Sequence, residues 1–111
     1  MAEPYLRDLQ SIVERACARR EEAGAISCKH FFSGAAAYVD GHIFMTLTTV
    51  GLALKLPEDD RNTLFGQGAK PLQYFPKAPV KKDYVLLPSQ LIDDDGVLNK
   101  LISRGIEFVR A

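Results

Sequence analysis

Asp40-Gly41 is the feature that most restricts what this chain can become. A two-residue type I′ turn needs positive φ at both central positions, and Asp and Gly tolerate it. The runs on either side, Cys28 to Val39 and Ile43 to Thr49, are rich in aromatic, small and β-branched residues. Asp-Gly between two such runs predicts a hairpin, with strands over about 29–39 and 42–49 and Val39 opposite His42.

The remaining elements follow from spacing. Pro4 suits a first helical turn, and Tyr5, Leu9, Ile12, Val13 and Ala16 then recur every three or four residues, with Gly24 as a stop. Val50-Gly51 predicts a second turn. Leu52, Leu54 and Leu56 alternate with Ala53 and Lys55, which predicts a half-buried strand with its leucines inward and Lys55 on the other face. Pro57 to Gly66 reads as a short helix, its first turn crowded with Glu58, Asp59 and Asp60 where negative charge favours the dipole. Leu64 and Phe65 anchor it, and Gly66 or Gly68 ends it.

Short strands near 71–76 and 83–88 come next, joined by a Pro- and Lys-rich loop. Ser89 and Asp93 to Asp95 offer caps for a last helix. Its apolar stripe is Val97, Leu98, Leu101, Ile102, Ile106 and Val109, and Gly105 weakens it locally. The expected fold is a two-layer α+β domain spanning 1–111, with a mainly antiparallel five-stranded sheet and helices on one face, in the order α-β-β-β-α-β-β-α.

Composition limits the partners. Fourteen basic residues balance fourteen acidic ones, which gives little long-range attraction to nucleic acid or anionic membrane and eases self-association. No segment reads as a secretory signal or reaches the ~20 apolar residues of a membrane span. A cytoplasmic protein is expected, with Cys17 and Cys28 as ordinary reduced thiols and a Cys17–Cys28 disulfide disfavoured.

No residue set dictates a reaction. In a continuous strand His30 stands nine residues from Val39, roughly 30 Å from the turn that carries His42, so the histidines share no site. Cys28 and His30 share a strand face, but zinc needs three or four ligands. Asp93-Asp94-Asp95-Gly96 fails as a calcium loop because its twelfth position is Arg104, not Glu. Nucleophile-elbow and phosphate-loop motifs do not occur. No cofactor, metal or catalytic residue is expected.

Surface contact is the remaining possibility. Lys70, Lys77, Lys81 and Lys82 fall near Tyr74, Phe75 and Tyr84. Such a mixture can touch nucleic acid, although loop lysines are more often simply solvated. Lys55 lies opposite three inward leucines and beside the strand holding Phe44. With one sheet face open, Lys55, Phe44 and the Ala35–Ala37 strip form a shallow contact surface; a solubilising lysine is the plainer reading. Lys55 and Phe44, with Lys70 and Tyr74, are the candidate interaction residues.

In this order the segments resemble the TfoX N-terminal domain family. Phe31-Phe32-Ser33-Gly34, Tyr38-Val39-Asp40-Gly41 and Phe44 are similar to that family's first hairpin, although Met-Phe-Gly-Gly is usual where Phe31 to Gly34 stand. Leu52 to Leu56 resembles its third strand, with the lysine in place. Gly68 to Leu72, Tyr74 and Pro76 resemble the following strand, and Tyr84 to Pro88 the last. The family's common tryptophan in the last helix is missing, since the chain has no Trp.

The resemblance implies a two-layer α+β domain without established enzymatic activity. It also implies kinship with a bacterial competence regulator thought to act with the cyclic-AMP receptor protein at DNA-uptake promoters, here as a stand-alone member. The expected function is a regulatory or protein-interaction module that binds a protein partner or itself, in the latter case as a homodimer, with nucleic acid involved only indirectly. The alternative is a small-molecule binder or enzyme whose site carries no sequence motif.

Overall fold

The Asp40-Gly41 hairpin forms as its residues predict. In the computed structural model, which describes residues 3–16, 26–31, 34–73 and 77–110, Asp40 has φ 52° and Gly41 φ 81°, and Val39 faces His42. Around it the chain runs α1 (Glu3–Ala16), β1 (Ile26–Phe31), β2 (Gly34–Val39), β3 (His42–Thr48), β4 (Gly51–Lys55), α2 (Glu58–Phe65), β5 (Lys70–Leu72), β6 (Lys81–Leu86), α3 (Ser89–Ile92) and α4 (Asp95–Arg110). The strands make one sheet in the order β1-β2-β3-β4-β6-β5, and every described pairing is antiparallel.

Among the described residues the sheet has six strands where five were expected. The single strand read over 29–39 is two, because the chain reverses and Phe31 pairs with Gly34. His30 therefore lies opposite Ala35, which lies opposite Leu47. His30 and His42 come within roughly 16 Å of each other by strand spacing and rise, closer than a continuous strand allows but still too far to share a ligand. The second turn is Thr49-Val50, one residue earlier than expected, since Thr48 already pairs with Gly51. The strand expected over 71–76 is the shorter β5, and the last helical segment is broken after Ile92.

One hydrophobic core joins the helices to one sheet face. Leu9 and Val13 of α1, Leu64 of α2, and Leu98, Ile102 and Ile106 of α4 pack with Ala35, Ala37, Met45, Leu52, Leu54 and Val85. The leucines of β4 point inward as predicted, and Lys55 does not. Asp94 accepts a hydrogen bond from the Val97 amide at 3.1 Å, so the Asp93–Asp95 run caps α4, as expected of such residues. Gly105 has a role that its low helix propensity hides. A Cβ there would stand 2.9 Å from the Lys55 carbonyl oxygen and 3.1 Å from Leu54 Cδ1, so this glycine lets α4 seat directly on β4.

Among the described residues, three arginines tie α4 to its neighbours. Arg15 of α1 bonds Asp95 at 2.6 Å and the Ile92 carbonyl at 2.9 Å. Arg104 of α4 grips Asp60 of α2 through two hydrogen bonds of 2.8 and 3.1 Å. Arg110 reaches the hairpin turn at Asp40, 2.7 Å away. Each pair is largely solvent-exposed and adds little stability alone; together they set where α4 lies. Gly24, Cys17 and Tyr74 lie outside the described residues.

Candidate functional site

Lys55 ends β4, one residue beyond the inward Leu54, and stands outside the core. Its ammonium sits 5.5 Å from the centroid of the Tyr84 ring, the cross-strand neighbour in β6. A cation over an aromatic face is held without being neutralised. Lys55 also lines an open cleft of about 390 Å³ at the end of the sheet. Gly41, His42 and Ile43 form one wall, Asp83 another, and Phe108 and Val109 from the last turn of α4 close the side. The position of α4 is fixed there by Gly105 behind Lys55 and by the Arg110–Asp40 pair.

The chemistry of this cleft is mixed. Lys55 and exposed His42 supply donors, Asp83 an acceptor, and Ile43, Phe108 and Val109 an apolar patch. Arg61 stands nearby but is committed to structure, since it donates to the carbonyls of Leu56 at 2.9 Å and Lys82 at 2.7 Å. Its guanidinium lies 3.9 Å from Asp83.

Phe44 does not belong to this surface. It is completely buried in the core. The ladder explains why: Ala37 pairs with Met45 and Tyr38 with Ile43, so the register skips Phe44. This bulge turns two consecutive residues, Phe44 and Met45, into the core, where strict alternation would send one of them outward. The Ala35–Ala37 strip is also fully buried. Lys70 is exposed on β5, opposite Leu86 and roughly 12 Å from Lys55 by strand spacing, and it does not line the cleft. Lys77, Lys81 and Lys82 are exposed, but Tyr84, their expected aromatic companion, lies beneath Lys55 instead.

A second groove of about 450 Å³ runs between α2 and α4. Leu64, Leu91, Val97 and Leu101 make it apolar, and Gln67, Lys100 and the Asp60–Arg104 pair rim it. Neither hollow was marked by a motif in the sequence.

Clear shifts fall on Cys28, Asp40 and Arg104. Burial, then the nearby Glu14 charge, pushes the Cys28 thiol up, so it is a poor nucleophile. The Arg110 hydrogen bond and charge hold the Asp40 carboxyl below its usual range. The hydrogen bond to Asp60 raises Arg104. Among the described residues no three His, Cys, Asp or Glu side chains gather where a metal ion could sit. No described helix is long and apolar enough to cross a membrane.

Compared with known families, the chain matches the model of the TfoX N-terminal domain over residues 19–109. No curated protein matches it.

Proposed function

The chain belongs to the TfoX N-terminal domain family, and on that premise we propose that it is a non-enzymatic regulatory module, cytoplasmic, that works by holding a protein partner at the Lys55 cleft. The observation that carries this reading is the cleft itself: a cation over Tyr84 beside an apolar patch and open to solvent. An acidic residue of the partner meets Lys55 and His42, while an apolar neighbour covers Ile43, Phe108 and Val109. The family resemblance suggests the transcription machinery as the source of the partner.

The test is affinity capture from the native cytoplasm with the wild-type chain and Lys55→Glu, alongside thermal melts of both. Recovery of one protein by the wild type, its loss by the variant and a melting temperature within a degree or two would support the reading. Equal recovery by both proteins would sink it.

A second reading rests on the groove between α2 and α4, whose apolar floor and polar rim are the usual composition of a small-ligand site. Lys100 on its rim would meet an anionic group, whereas Arg104 is already paired with Asp60. Native mass spectrometry of freshly purified protein discriminates: a bound metabolite lost in Leu101→Glu would favour this groove over the cleft.

A further inference from the structure

The two edges of the sheet are protected very differently. At one edge β5 is three residues long, contains Pro71 and has a register shift between Pro71 and Leu72. Such devices keep an edge from pairing with foreign strands. At the other edge β1 keeps six residues in unbroken register with β2, from Ile26↔Val39 to Phe31↔Gly34. It contains no proline and no bulge, and among the described residues no strand lies on its far side. Ser27, Lys29 and His30 are exposed. A strand with one neighbour directs half its amides and carbonyls outward, and over residues 26–30 these can form a further ladder.

From this asymmetry we propose that β1 is a self-association edge, at which a second copy of the chain pairs antiparallel through its own β1. The proposal is independent of the partner cleft, which lies at the hairpin end of β3 and beside β4 and β6. A closed two-fold contact is self-complementary, so each residue must tolerate the one it meets. Antiparallel neighbours directly opposite share a face, so an axis perpendicular to the sheet passes through a pair of identical residues. Three axes are available near the middle of β1. One through Lys29 sets two lysines against each other, and one through Ser27 pairs only residues 26–28 of the strand. The axis through Cys28 pairs residues 26–30 of each copy: Lys29 faces the second copy's Ser27, and His30 faces its Ile26. That register opposes no like charges. The formal net charge of zero adds no general repulsion between copies.

Ser27 is the discriminating position, because it is exposed and occurs twice in this contact, each time opposite Lys29. Sedimentation equilibrium at low salt, with circular dichroism to verify folding, would compare wild type with Ser27→Lys and Ser27→Glu. The expected result is a reversible dimer, weakened about fivefold by Ser27→Lys and tightened about fivefold by Ser27→Glu, since two cross-strand charge pairs change together. A chain that stays monomeric to ~100 µM overturns the proposal. So does a dimer whose affinity is the same in all three proteins, because its interface then lies elsewhere.

Discussion

Replacing Gly105 with Ala tests whether α4 is seated on β4 by the absence of a side chain. Elsewhere in a helix this change stabilises by roughly 0.5–1 kcal/mol, because glycine loses more backbone freedom on folding. At Gly105 the new methyl would lie 2.9 Å from the Lys55 carbonyl oxygen and 3.1 Å from Leu54 Cδ1. The carbonyl is backbone at the end of a central strand, held by the following Leu56 amide's bond to the Asp83 carbonyl, so α4 must lift. Overpacking of this kind costs about 1–3 kcal/mol. Subtracting the propensity gain leaves a net loss of about 1–2 kcal/mol.

Gly96 provides the internal control. It lies on the same helix, and a Cβ there meets only Asp94 Oδ1 at 3.5 Å, an ordinary contact. Gly96→Ala should therefore stabilise by about 0.5 kcal/mol. Urea titrations followed by circular dichroism should move the two midpoints in opposite directions with unchanged slopes. Thermal melts should separate the two variants by roughly 8 °C, at about 4 °C per kcal/mol. A Gly105→Ala protein as stable as the wild type would refute the account of how α4 is placed, and with it the wall of the cleft formed by Phe108 and Val109.

Three other substitutions probe separate parts of the fold. Gly34→Ala should destabilise by about 3 kcal/mol in urea titration, because its methyl would fall 2.4 Å from the Leu47 carbonyl oxygen and 2.8 Å from Thr48 Cγ2. Thr46→Val should stabilise by about 1 kcal/mol, since the Thr46 hydroxyl is buried with no hydrogen-bond partner among the described residues; a loss would reveal a partner for it. Asp40→Asn keeps a residue type that tolerates positive φ but removes the charge held by Arg110. The folded pKa of Asp40 is depressed, so its contribution is present above the ordinary carboxylate pKa and fades as pH falls through the depressed value. Wild type should therefore exceed Asp40→Asn in stability at pH 7, and the gap should close in acid; a gap independent of pH would rule out the ion pair as its source.

The parts of the fold that were legible in the sequence are those set by local physics. Asp-Gly announced a turn because few residue pairs accept positive φ twice in succession. The Leu52-Leu54-Leu56 alternation announced its buried face, and the apolar stripe of α4 did the same at helical spacing. The split between β1 and β2 was hidden because Phe31 to Gly34 sits inside a run that reads as strand on both sides, with no turn pair as strong as Asp-Gly. Bulging at Phe44 was hidden for a different reason. Its cause is a register choice between β2 and β3, and either parity suits a chain of aromatic and β-branched residues. Gly105 was misread because propensity describes a helix in isolation, whereas this glycine answers to the backbone of another strand.

The same division explains the candidate site. Lys55 could be assigned to the face opposite the leucines from its own strand, because alternation is local. Its companions could not. Gly41 to Ile43, Asp83, Phe108 and Val109 come from three further segments, and only the sheet order and the seating of α4 bring them around one lysine. None belongs to a motif, and each alone reads as an ordinary surface or half-buried residue. A cleft of this origin depends on the helix position more than on any single side chain. Loosening α4 at Gly105 should therefore disturb whatever the cleft holds even though Gly105 itself does not line it. Lys55→Glu changes the chemistry and leaves the walls in place. Losing partner capture in both variants, but stability only in Gly105→Ala, is the pattern expected of a site assembled in this way.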